Sequence, residues 1–202
     1  AQRLLEAAGS HWADGGGGML VARIDVDDTD VLVGAQRAGF EVLETSTTYI
    51  NDNDVAYTST HRSKGYDVRP YFHGAGDEAP PAARRLIRRW VDDTDRTGHL
   101  YRDRALDPRR VRALYLAWLD NTFSGAYGDV VYAAWSGDQI VGFVSWTEDH
   151  ELDELAGTKI LRAGIGAVVS PEGSGALGDV YAAVCSQRPL GARLVEHTTQ
   201  AG

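Results

Sequence analysis

Cysteine is almost absent from this 202-residue chain, where Cys185 stands alone. A single thiol excludes a disulfide framework and any cysteine-rich zinc site, and it fits a reducing compartment. Long apolar runs are also missing, the longest falling far short of the roughly 20 residues a membrane-spanning helix needs. No basic-then-apolar leader opens the sequence, so a cytoplasmic location without a membrane partner is expected. Positive charge is scarce: 20 Lys and Arg face 29 Asp and Glu, for a net charge of -9. That balance argues against general nucleic-acid binding, which needs a basic footprint. Several chemistries lack their motifs as well. There is no G-x-S-x-G elbow, no H-E-x-x-H, no Walker sequence and no paired-cysteine zinc spacing, so no metal is expected. The acidic run Glu148–Glu154 lacks the spacing of a calcium loop.

What is present is an ordinary globular composition, 43% apolar and 24% charged. A chain this long buries roughly 70% of its extended surface, enough to fold as one large domain or two small ones without a staple. Its charge is uneven. Residues 84–112 hold ten of the 20 basic residues and are locally +5, leaving the remainder at -14. Such a segment is either a solvated face or a place where guanidinium groups meet a small anionic ligand.

Apolar spacing over Leu4, Leu5, Ala8 and Trp12 predicts a helix, followed by the glycine turn Gly15–Gly18. Met19–Ile24 reads as a strand, Thr29–Ala38 as a helix capped by Thr29 and ended by Gly39, and Phe40–Ile50 as a strand. Residues 51–81 are polar and turn-rich, with one short strand at Tyr66–Pro70. Pro81 suits a helix start, and Asp107 with Pro108 opens a second helix by cap and first-turn proline. Val130–Trp135 and Ile140–Trp146 flank a turn and read as a hairpin. A strand over Ile160–Val169, a glycine loop, a helix over Asp179–Gln187 and a strand over Arg193–Thr199 complete the order. Helix, strand, turn, helix and strand in the first half are faintly echoed by the last helix and strand.

A strand that ends in a glycine turn and opens a helix suits an anion, because unpartnered amides and the helix dipole meet there. The alternative is a plain strand-to-helix turn. Two anionic ligands compete. Gly173-Ser174-Gly175-Ala176-Leu177-Gly178 is literally G-x-G-x-x-G, with Glu196 eighteen residues on, which is the dinucleotide fingerprint of an NAD(P)-binding enzyme. Against it, Ser170-Pro171-Glu172 separates strand from glycine, and a hairpin precedes the strand where further βαβ units belong.

The second ligand comes from a resemblance. From Ala82 to Gln200 the element order, with Val168-Val169-Ser170-Pro171 ahead of Gly175-Ala176-Leu177-Gly178, resembles the GNAT acyltransferase family. Within it the chain is most similar to acetyltransferases of TDP-linked 4-amino-dideoxy sugars, the TDP-fucosamine type. Ala38-Gly39-Phe40, Tyr115–Asn121 and Ile140–Val144 carry that likeness. The resemblance implies an α/β, mixed α+β fold with a mixed, mostly antiparallel sheet. It implies a degenerate half-domain over residues 1–60 and an acyl-CoA-binding domain over 61–202 that lacks its closing helix and strand. It further implies an enzyme moving an acetyl group from acetyl-CoA to a primary amine, with a nucleotide-linked amino sugar as candidate acceptor and a homodimer as candidate assembly. A GNAT-fold protein with an altered coenzyme loop, acting as a binding module or in non-acetyl chemistry, is the alternative. The loop departs from the family pattern at Ser174 and at acidic Glu172, is one residue short, and puts Leu177 where a glycine belongs.

On this reading Ala167, Val168 and Val169 offer backbone to the coenzyme, with a main-chain N–H as oxyanion donor. Ser174, Gly175, Ala176, Leu177, Gly178 and Asp179 form the diphosphate loop. His197 and His99 are the candidate bases, each weighed against a plain surface role. Glu196 should face away from His197, since neighbours on a strand alternate. His99, Tyr101, Arg102 and Asn121 are candidate acceptor contacts, although Asn121 also suits a helix C-terminus. The family's protonating tyrosine belongs on a helix beyond Gln200, so Tyr181 is not assigned that role.

Overall fold

The computed structural model describes residues 2–15, 20–55, 63–71, 81–93, 99–169 and 171–201; the side chains of residues 12, 13, 90, 92, 93, 99, 200 and 201 lie outside that description. Two compact units divide at the start of the first strand, one covering Ala1–Thr45 and Gly202, the other Ser46–Ala201.

In the first unit α1 (Gln2–Asp14) contacts α2 (Thr29–Arg37). Asp28, not Thr29, caps α2, its carboxylate accepting the Val31 N–H at 3.3 Å, and Gly39 ends it at φ +91°. The apolar run Leu20–Ile24 is irregular backbone rather than the expected strand. The rest of the glycine turn, 16–18, is outside the described residues.

The second unit is a mixed α+β arrangement. Its six strands are β1 (Thr45–Asp52), β2 (Asp67–Tyr71), β3 (Val130–Ser136), β4 (Gln139–Glu148), β5 (Ile160–Val168) and β6 (Leu194–Ala201), in spatial order β1-β6-β5-β4-β3-β2. β2 through β5 pair antiparallel, while β5 and β6 pair parallel. Thr48 meets Thr198, and Asn53 meets Arg193, so β1 runs antiparallel to β6. β1 thus occupies the side of β6 away from β5.

Helices cover both faces. α3 (Pro81–Asp93) and α5 (Pro108–Phe123) bury Leu86, Ile87, Val111, Leu119 and Phe123 against Phe143, Ile165 and Ala167. The short α4 (His99–Arg102) lies between them in sequence. α5 begins as its sequence dictates: Asp107 accepts the Arg109 N–H at 2.9 Å and Pro108 fills the first turn. On the other face α7 (Ala176–Gln187) buries Val180 and Val184 against Val144, Trp146 and Leu161. Each such side chain stabilises the fold by about 2–3 kcal/mol. α6 (His150–Ala156) lies within the acidic run, capped by Asp149 and ended by Gly157 at φ +63°. Among the described residues, no helix is long and apolar enough to cross a membrane.

Candidate functional site

β5 is where the sheet opens. Its ladder with β6 holds three pairs, Ile160↔Leu194 to Arg162↔Glu196. Both strands continue, to Val168 and Ala201, but among the described residues no further pair joins them. The opening begins at an irregularity in the β4–β5 ladder, between Val144 and Trp146. There the Ser145 hydroxyl, fully buried, inserts between the strands: it accepts the Ile165 N–H at 3.0 Å and donates to the Ile165 carbonyl at 3.2 Å. Gly164 is required opposite it, because a Cβ would come 2.6 Å from that oxygen. The inserted hydroxyl shifts the strand's alternation. Leu161 and Ala163 pack on the α7 side, whereas Ile165, Ala167 and Val169 pack towards α3 and α5.

This assigns the amides of the opened segment. Ile165 donates to Ser145 Oγ, and Val169 donates to the Val141 carbonyl at 2.9 Å. By alternation Ala167, paired with Phe143, also faces β4, and the Val168 N–H faces the open side. Of the three residues expected to offer backbone, Val168 alone turns its amide there. Ala167 and Val169 are buried core.

The glycine turn follows at residues 171–175. Gly173 sits so close to β4 that a Cβ would overlap the Val141 carbonyl oxygen, which pins the turn to the sheet. Bonds inside the turn use the amides of Gly173, Ser174 and Ala176, donated to Val169, Pro171 and Gly173 carbonyls. Gly175, at φ +88°, caps α7 with no side-chain bond. The amides of Leu177 and Gly178, in the first turn, lack a helical partner by position. The helix starts three residues before the expected Asp179. That carboxylate, 6% exposed, accepts the Lys64 and Tyr66 N–H groups at 3.1 and 3.2 Å, so it faces residues 63–66. Tyr66 Oη also donates to the Glu172 carbonyl at 2.5 Å. Segment 63–66 therefore clasps the turn, a role its polar sequence did not signal.

Glu172, the acid at which the loop departs from the resembled pattern, is held by Arg89 of α3 at 2.7 and 2.8 Å. That guanidinium keeps the carboxyl below the usual carboxylate range. Arg85 and Arg89 rim a groove beside this pair, floored by Leu86, Ile140, Val141 and Val169. Among the described residues of the arginine-rich segment, these two cations line it.

The remaining candidates fall in three places. His197 lies on β6 immediately past the last ladder pair, its Nδ1 2.5 Å from Tyr181 Oη, and burial pushes its pKa down. Glu196 faces the other way and accepts from Arg162 Nε at 3.0 Å; Arg162 also donates to Asp149 at 2.7 Å. Tyr101 stacks on Tyr115 at 5.4 Å with their planes 8° apart, and Tyr115 in turn on Trp118. Arg102 is exposed on α4, which His99 opens; residues 94–98, the rest of the expected acceptor loop, lie outside the described residues. Asn121 is in the last turn of α5, and its carbonyl accepts the Ala126 and Tyr127 amides at 3.0 and 3.1 Å. That is a helix-end role.

No family model matches the chain, and no curated protein matches it. A solved structure, a functionally unknown conserved protein from Staphylococcus epidermidis ATCC 12228, is similar at 13% identity and a TM-score of 0.48. The match covers 90% of this chain and 59% of that one, so this chain spans under two thirds of its neighbour's length.

Proposed function

We propose that the chain is a GNAT-type acyltransferase that takes acetyl-CoA and an amine. The observation that carries this reading is the gap between β5 and β6, which opens at the Ser145–Gly164 irregularity and leads along β5 to the glycine turn. A parallel strand pair that parts midway leaves one row of backbone donors available, and a ligand with amide groups of its own can pair with them. Acetyl-CoA, when bound, supplies an acyl thioester, a pantetheine arm with such amides and a diphosphate.

The chain's residues fit that group. The Val168 amide is the donor offered to a thioester carbonyl, and losing one such donor typically costs about 100-fold in rate. Leu177 and Gly178 offer amides at the positive end of α7. Glu172 would repel a diphosphate were it loose; bound to Arg89, its charge is balanced. Arg85 extends the positive rim. The dinucleotide reading draws less support, since β5 runs antiparallel to β4 and Glu196 is already engaged by Arg162.

Amide NMR tests the reading. Adding CoA should shift the Val168, Leu177 and Gly178 N–H resonances and slow their hydrogen exchange, whereas NAD should not. Unmoved amides with CoA, or equal effects of NAD, would defeat it.

A further inference from the structure

Across the α7 face of the sheet three side chains stand in a row. Trp146 on β4 pairs with Ala163 on β5, and His197 on β6 follows the last β5–β6 pair, Arg162↔Glu196. Tyr181 of α7 packs over this row, its ring 5.4 Å from Trp146, edge-on, and 4.3 Å from His197. Small Ala163 leaves space for that ring. The indole fixes the phenol from one side, and the phenol hydroxyl reaches His197 Nδ1 at 2.5 Å. The pair therefore stands where the two strands part. Trp146 is fully buried, and its Nε1 has no hydrogen-bond partner among the described residues.

Building on the acyltransferase reading, we infer that His197 is the proton-transfer residue at this opening and that Tyr181 positions its imidazole. With Nδ1 bonded to a phenol, the imidazole is fixed in orientation while Nε2 remains for a reacting group. A tyrosine hydroxyl both donates and accepts, so either tautomer keeps its bond. As the amine nitrogen forms its bond to the thioester carbonyl carbon, Nε2 takes the ammonium proton, with Nδ1–H donated to Tyr181. The carbon–sulfur bond then breaks and Nε2 returns that proton to the thiolate. Products are an amide and a free thiol, and His197 ends neutral. Burial, which holds the imidazole neutral near pH 7 and the phenol protonated, suits both roles.

Among the described residues, the other titratable side chains facing this pair are Cys185 and Tyr49. Cys185 is one turn beyond Tyr181, accepts from Asn51 at 3.5 Å and is held as a thiol by burial. Tyr49 sits opposite His197 in the β1–β6 register implied by Thr48 and Thr198 and is 58% exposed.

The test compares wild type, Tyr181→Phe and His197→Gln by acetyl-CoA calorimetry, imidazole ¹⁵N titration, and CoA release with hydroxylamine as the amine. All three should bind acetyl-CoA alike. His197→Gln should release CoA about 100-fold more slowly, through kcat rather than the KM for acetyl-CoA. Tyr181→Phe should move the ¹⁵N midpoint of His197 and the acid limb of the rate profile by the same amount. Equal binding with an undiminished rate in His197→Gln, an unmoved limb in Tyr181→Phe, or no wild-type turnover above solution would overturn the inference while sparing coenzyme binding. Absence of binding in wild type removes the acyltransferase reading itself.

Discussion

The two edges of β5 are opposite solutions to one problem. Towards β4 the backbone is paired along the strand, and where the register slips the Ser145 hydroxyl fills the break. Towards β6 pairing stops after Arg162, and six residues run on without a partner there among those described. Buried backbone groups are normally satisfied, so the closed edge is what folding alone would produce. The open edge is where, among the described residues, the two strands forgo hydrogen bonds to each other.

Substitutions at the closed edge should therefore cost stability, and those around the open edge should affect binding and pH response. The largest effect is expected from Gly164→Val, which displaces the Ser145 hydroxyl and overpacks the ladder, at about 3 kcal/mol in denaturant titration. Ser145→Ala should follow at about 2 kcal/mol, because it strands the Ile165 N–H and carbonyl without adding bulk. A cost near zero for either would mean that the break is not sealed by this hydroxyl.

A smaller effect belongs to His197. Its folded pKa lies below the unfolded value of 6.5, so the unfolded chain binds more protons in that interval. Stability from this group is complete above pH 6.5 and is lost as pH falls towards the folded value. Wild type should lose denaturant resistance as pH falls below about 6.5, and His197→Gln should lose less. Identical slopes would place the imidazole in water. The smallest effect is Glu172→Gln. Its partner Arg89 is 40% exposed, so solvent screens the pair and its removal should hardly change stability. Affinity for acetyl-CoA should rise as Arg89 is released; a fall would show that the carboxylate shapes the turn.

The same contrast explains what was legible beforehand. Local signals could be read from adjacent residues: Asp107 with Pro108 opens α5, the Gly137-Asp138 turn joins β3 to β4, and Glu196 and His197 alternate. α7 begins three residues before the expected Asp179, because Gly175 caps that helix and the Asp179 carboxylate serves Lys64 and Tyr66. α6 was hidden inside a charge run although Asp149 and Gly157 mark its ends. Pairings between distant residues carry no such signal. The recruitment of β1 by β6, the Arg89–Glu172 ion pair and the contact of Tyr181 with His197 depend on segments brought together only by the fold. Leu20–Ile24 has strand-like composition without a described strand, since composition does not supply a partner.

Calorimetry of acetyl-CoA with wild type and Gly175→Asp addresses the central claim most directly. A saturable heat in wild type that disappears in the variant, with both chains equally folded by circular dichroism, is the predicted result. No heat in wild type, or the same affinity in both, would contradict the assignment of the β5–β6 gap and its glycine turn to an acyl coenzyme.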